Sequence, residues 1–265
     1  MATTIVIANR KGGSGKTTTS INLAAGLARL GHRVLVVDVD SQAQATTSCG
    51  LIPSQLAHGS YELLHGVAAG HPMSDEVKTA IIKGSQPFDL IPARADLSAL
   101  EIEVAHHENS QFLLRDLLLE VENAYDYILI DSAPSLGLIT VNGLIAAQRL
   151  LIPVEANFLS MDGLAQMTQI LYRINLELNP GLRLLGIVPV KCDLRTNLAR
   201  SVLDEIKSNF GADKLLPPIR NDIKLAEAPS FGQTIFDYAP TCRGASDYEA
   251  LAQAVVGRGG ESNGS

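Results

Sequence analysis

Two hundred and sixty-five residues make one α/β domain of ordinary size, or two small ones. With 46% hydrophobic and 18% charged residues, the chain can fill a large core and falls outside the disordered class. A net charge of −7 argues against a globally basic, nucleic-acid-coating protein while leaving room for a local basic patch. Three scattered cysteines, Cys49, Cys192 and Cys242, argue against a disulfide scaffold, a zinc site or an iron–sulfur cradle.

In chain order, residues 4–8 are expected as a strand and 17–30 as a helix ended by Gly31, with a glycine-rich run between them. Residues 33–37 follow as a second strand, and 53–86 as short helices and loops. Continuous apolar runs at 127–130 and 150–154 have the composition of strands buried on both faces. Two more strands are expected at 184–190 and 214–219. Helical patterns at 137–147, 161–178, 197–210 and 245–256 alternate with them. No internal repeat or linker interrupts this order. The expected fold is one doubly wound α/β domain over residues 1–256, a mostly parallel sheet flanked by helices, with 257–265 as a flexible Gly/Ser-rich tail.

The first residues are too briefly apolar for a signal peptide. The most apolar region, 127–159, is cut by Asp131, Pro134, Arg149, Pro153 and Glu155, so no 18-residue span exists. The expectation is a cytoplasmic protein with no membrane partner.

The sharpest motif is Arg10-Lys11-Gly12-Gly13-Ser14-Gly15-Lys16-Thr17-Thr18, between the first strand and the first helix. A phosphate cradle needs inward backbone N–H groups, hence glycines. It also needs a helix N-terminus, a lysine for the β/γ oxygens and a hydroxyl for Mg²⁺. Lys16 and Thr17 suit the last two roles. The common G-x-x-x-x-G-K-[ST] spacing is not met, because Arg10 stands where its first glycine would be. A glycine-rich turn with incidental lysines is the competing reading.

The motif K-G-G-x-G-K-T-T at 11–18 resembles the deviant Walker A loop of the ParA/MinD group of P-loop ATPases. The resemblance spans about residues 3–256 and takes in three further segments. It implies ATP and Mg²⁺ as cofactors, bound by Lys11, Gly12, Gly13, Ser14, Gly15, Lys16, Thr17 and Thr18. It also implies that Lys11 reaches across an ATP-sandwiched homodimer to the partner's phosphates, with Gly12 at the close dimer contact. A cation arriving only on dimerisation would couple hydrolysis to assembly.

Asp38-Val39-Asp40-Ser41-Gln42 is similar to the family's D-x-D-P-Q switch, with Ser41 where the proline stands. Asp40 then matches the residue that positions or activates the attacking water; a turn aspartate is the alternative. The apolar run 127–130 ends in Asp131, the Walker B form, which would hold the Mg²⁺ shell through water beside Thr17; a simple strand cap is the alternative. Residues 220–232 are similar to the I-P-R-N-x-R-L-x-E-A-P-S-x-G segment of chromosomal ParA (Soj) proteins, where the loop contacts adenine. Pro218 and Asn221 are the candidates, although the spacing differs by one residue on each side of Arg220-Asn221.

Among relatives, a MinD-type protein would end in a cationic amphipathic helix. A larger plasmid ParA would carry an N-terminal helix-turn-helix domain, and a nitrogenase iron protein would need cluster cysteines. A small ParA/Soj-like ATPase matches best. That implies an ATP dimer bound to non-specific double-stranded DNA, nucleoid-associated, with slow hydrolysis stimulated by a ParB-like or other cargo adaptor. Residues 183–224 carry +3 and leave −10 elsewhere, with Arg195, Arg200, Lys207, Arg220 and Lys224 as DNA candidates. Solvated helix charges are the alternative for each. Two other functions stay open: a metabolic P-loop kinase or ligase, and an ATP switch acting on a protein without DNA.

Overall fold

The structure, a computed structural model, describes residues 1–157 and 160–259. Its strands are β1 (Thr3–Ile7), β2 (Val34–Val39), β3 (Asp89–Ile91), β4 (Tyr127–Ser132), β5 (Arg149–Glu155) and β6 (Arg183–Val190). They form one sheet in the order β3-β2-β4-β1-β5-β6, every pair parallel. Parallel neighbours need long crossovers, and helices supply them. The helices are α1 (Lys16–Arg29), α2 (Gln44–Ser48), α3 (Ser60–Ala68), α4 (Ser74–Ala80), α5 (Leu97–Glu103), α6 (Leu113–Leu119), α7 (Leu138–Ala146), α8 (Ser160–Glu177), α9 (Asn197–Phe210), α10 (Lys224–Glu227), α11 (Ile235–Tyr238) and α12 (Arg243–Gly259).

The apolar runs are continuous because both faces of each central strand are covered. In β4, Ile128 and Ile130 enter a core shared with α3 and α5–α9, whereas Tyr127 and Leu129 enter a second core shared with α1, α11 and α12. In β1, Val6 and Ile5 divide in the same way. The chain leaves β1 towards β2 and β3, returns to β4 and then crosses to β5, so the sheet reverses its winding beside β1. Open α/β sheets bind ligands outside the carboxyl ends of strands at such a reversal.

Several boundaries differ from the sequence expectation. β2 and β4 each run two residues further, which places Asp38 and Asp131 inside strands. The strand expected at 214–219 is absent as a regular ladder. Leu216 and Ile219 donate to the carbonyls of Ile187 and Pro189 (2.9 and 2.7 Å), but Pro217 and Pro218 have no N–H to give. The sheet gains instead the edge strand β3, three residues long and too short to show a period. At the C-terminus α12 runs to Gly259, three residues beyond the expected end of the domain; the rest of the expected tail, 260–265, lies outside the described residues. No described helix is long and apolar enough to cross a membrane.

Helix α1, which carries the phosphate-loop residues, lies closely against α12. A Cβ added at Gly26 would fall 2.9 Å from the Ala252 Cβ and 3.3 Å from the Tyr248 carbonyl oxygen. Gly26→Val is therefore expected to overpack this contact and cost about 1–3 kcal/mol. Urea denaturation would report the loss as a lower midpoint at unchanged slope; an unshifted midpoint would show that the two helices can part freely.

Candidate active site

The loop from Arg10 to Gly15 leaves the carboxyl end of β1 and enters α1. Gly15 holds φ 81° at the helix entry and Gly13 φ 71°, the left-handed region that a side chain would strain. The Ser14 hydroxyl is buried without a hydrogen-bond partner, an orphaned donor in a loop whose geometry suits an anion. Lys16 is 7% exposed, and its Nζ has one long bond, to the Lys11 carbonyl at 3.4 Å. Burial pulls its pKa down, against the opposing fields of Asp131 and Asp40. A cation so poorly partnered is ready for phosphate oxygens. A cavity of about 280 Å³ opens over this loop, with Asp40, Gln42, Pro134 and Lys191 on its other walls.

Asp131 lies fully buried in β4. Thr17 Oγ1 donates to one of its carboxylate oxygens (2.8 Å) and Ser20 Oγ to the other (2.7 Å). Ser20 went unread in the sequence; its signal is position, one helical turn beyond Thr17 on the same face. Asp38 stands beside Asp131 in the paired strand, also fully buried. It accepts from Thr46 N (2.9 Å), Thr46 Oγ1 (2.8 Å) and Asp40 N (3.1 Å). Burial foremost raises both pKa values, and the Asp131 charge adds to the rise at Asp38. Asp40 is 7% exposed at the cavity edge, where its carboxylate accepts from Gln42 N (2.9 Å), so it is at once a turn residue and a wall of the site. Among the described residues no cluster of three or more His, Cys, Asp or Glu side chains could cage a metal. The protein offers one hydroxyl, Thr17, beside one carboxylate, Asp131, a donor set that suits Mg²⁺ sharing its shell with phosphate oxygens and water.

Lys11 turns back into its own subunit. Its Nζ meets Glu155 Oε2 at 3.1 Å, while Lys191 Nζ meets Glu155 Oε1 at 2.7 Å and the Gly13 carbonyl at 2.9 Å. The two cations, Lys191 foremost, hold the Glu155 pKa below the ordinary carboxylate range. Neither Glu155 nor Lys191 was singled out from sequence, although each stands at the carboxyl end of a strand, the signal that marked Asp131. A second cavity of about 130 Å³ shares Gly15, Thr18 and Lys191 with the first. Asn221 lines it together with Leu225 and Tyr248; Pro218 lies one residue before its wall at Ile219.

Residues 2–184 match the family described as an AAA domain. The chain is 41% identical over 254 residues to the chromosome-partitioning ATPase Soj of Thermus thermophilus, covering 96% of this chain and 95% of that one. It is 37% identical over 257 residues to the chromosome partitioning protein ParA of Caulobacter vibrioides, covering 96% and 94%. The chain belongs to the ParA/Soj-type family of P-loop partition ATPases. Its fold is also similar to cobyrinic acid a,c-diamide synthase from Mycobacterium smegmatis, solved with an ATP analogue and magnesium. That likeness has TM-score 0.83 and 30% identity over 99% of this chain and 97% of that one.

The basic residues of this partition ATPase lie in two kinds of setting. Arg195, on the loop after β6, forks onto Asp193 (2.7 and 2.8 Å), and Arg200 donates to the carbonyls of Leu194 and Arg195. Lys207 pairs with Asp204 (3.2 Å) and Lys224 with Glu227 (2.7 Å), both at the surface. Arg220 is the exception, half-buried and forked onto Asp247 (2.7 and 3.0 Å), which also accepts the Arg220 backbone N–H. Four of the five candidates thus carry a carboxylate within the chain, and Arg220 ties the segment between α9 and α10 to α12.

The paired carboxylates set a pH dependence. Asp38 is pushed up to about 7 from 3.8, so the folded protein without cation or nucleotide keeps a proton that the unfolded chain has already released. Its stability is therefore expected to fall as pH rises from about 4 through about 7, and Asp38→Asn should flatten that slope. Denaturation midpoints across the range provide the check; an equally steep slope in the variant would assign the dependence to other groups.

Proposed function

We propose that this protein is a Mg·ATP-dependent dimerising ATPase that binds DNA without sequence preference as the ATP dimer and positions a cargo. The cargo is a chromosome origin, a plasmid or a protein complex, and an adaptor of the ParB kind stimulates slow hydrolysis. The observation that carries this reading is Lys11, a second lysine of the phosphate loop placed at the loop's entrance, with its Nζ on Glu155.

Each group then has a distinct task. The amides of Gly12–Gly15 and the orphaned Ser14 hydroxyl cradle phosphate oxygens, and Lys16 supplies the buried charge. Mg²⁺, when bound, neutralises charge on the phosphates; Thr17 and Asp131 are the residues that would hold it. Asp40, at the cavity edge, orients the attacking water. Asn221 and the cavity beneath it receive the base. Lys11 acts on the partner's nucleotide, so full charge compensation arises only in the dimer. Arg195, Arg200, Lys207 and Lys224 supply exposed cations for DNA phosphates; for Arg195, Lys207 and Lys224 each contact is an exchange of ion pairs, and for Arg200 an exchange of carbonyl acceptors, weak singly and useful when doubled by the dimer. Arg220 keeps its place in this set through the remaining donors of its guanidinium.

Asp40→Ala is expected to give a persistent ATP dimer without hydrolysis. That protein should bind random-sequence duplex DNA with ATP, not with ADP, and lose affinity steeply as salt rises. DNA binding equal in both nucleotide states, or none in either, would reject the DNA-tethered switch. Lys16→Ala should abolish nucleotide binding itself, whereas Lys11→Ala should retain it and lose hydrolysis; equal behaviour of the two in nucleotide-binding titrations would remove the distinction. A second reading, an ATP-using enzyme acting on a small molecule, is favoured by the likeness to the diamide synthase. It requires turnover that depends on a small acceptor and is indifferent to DNA.

A further inference from the structure

Glu155 at the end of β5 accepts two lysines at once, one per carboxylate oxygen: Lys11 at 3.1 Å and Lys191 at 2.7 Å. The three side chains differ in exposure, at 20% for Glu155, 35% for Lys11 and 57% for Lys191. Lys191 reaches this position from a left-handed backbone, φ 49°, which costs a residue bearing a Cβ and is retained here where the chain turns out of β6. Its Nζ also holds the Gly13 carbonyl at 2.9 Å, and it lines both cavities of the site. The backbone of Lys11 is fixed separately, its N–H donating to Asn9 Oδ1 (2.9 Å) while Asn9 Nδ2 donates to the Pro153 carbonyl (2.7 Å). The Lys11 backbone is thus anchored through Asn9 independently of its side chain, whose ion pair is with Glu155.

From this triangle we infer that Lys191 is a positioning residue for Lys11, acting through Glu155: it supplies the counter-ion that lets Lys11 leave its own subunit when the dimer forms. The inference rests on the proposal that Lys11 acts on the partner's nucleotide. A carboxylate that loses its sole cation in a partly buried place is left uncompensated, and the departing lysine carries that cost. With Lys191 already on Oε1, Glu155 remains neutralised after Lys11 departs. The same geometry makes Glu155 a restraint on Lys11 in the monomer, since without it two lysines would face each other across the loop and repel.

The two partners of Lys11's latch therefore have opposite effects on the dimer, which a merely structural role for both would not produce. The measurement is the dimer dissociation constant by sedimentation at saturating Mg·ATP, with Asp40→Ala as the reference protein so that hydrolysis does not intervene. Adding Glu155→Gln should tighten the dimer and Lys191→Met should weaken it, each by roughly threefold or more, as expected for half-exposed ion pairs. Lys191→Arg, which keeps the charge, should lie near the reference. Raising salt should shrink all these differences. If the reference protein dimerises but both variants shift it the same way, or neither does, the inference is overturned while the dimer reading stands. If the reference protein stays monomeric in Mg·ATP, the dimer reading fails first and this inference falls with it.

Discussion

A carboxylate with no access to water, in the middle of a sheet covered on both faces, is the constraint around which the rest of this site is arranged. Asp131 lies between Ile7 of β1 and Asp38 of β2 at one level of the sheet. An isolated charge there would be very costly. Two hydroxyls one turn apart on α1, Thr17 and Ser20, satisfy its two oxygens, and the Lys16 ammonium supplies a field of opposite sign. The helix that follows the glycine-rich loop is thereby tied to the strand that carries Asp131. Loop, helix and strand hold one another in register before any nucleotide arrives.

Charge balance continues outward from that centre. Asp38 is satisfied by Thr46 and the backbone of Asp40, so the turn carrying Asp40 is built on a buried neighbour. Thr46 Oγ1 also accepts the Ala93 N–H, joining this turn to the segment after β3. Glu155 balances Lys11 and Lys191 on the opposite side of the loop. Lys16, by contrast, is a buried lysine that lines the cavity without an ion pair among the described residues.

Much of this was legible in the residues. The K-G-G-x-G-K-T-T loop needs its glycines at the two left-handed positions, and both stand there. The apolar run ending in Asp131 is readable because burial on both faces demands unbroken hydrophobic residues up to the first polar group. The central helices were readable from their 3.6-residue period, and 197–210 matches α9 at both ends. The edge strand β3 was not: three residues carry no period, and pairing with β2 decides its conformation. The segment 214–219 read as a strand by composition, but two prolines remove the donors that a ladder requires. Arg220 looked like a surface cation because nothing local foretells Asp247, 27 residues further along the chain.

By itself, the sequence determined the layered α/β architecture and the position of the glycine-rich loop between β1 and α1, and it nominated Lys16, Thr17, Asp40 and Asp131 as candidates. Those features follow from local period, backbone freedom and motif spacing, all contained within short stretches of chain. Only the tertiary structure decided which charges meet. Glu155 and Lys11 are 144 residues apart and Lys191 a further 36 beyond Glu155, yet parallel strands bring their carboxyl ends to one edge. Long-range ion pairs depend on strand order, and strand order is settled by packing across the whole sheet rather than by the residues adjacent to each charge.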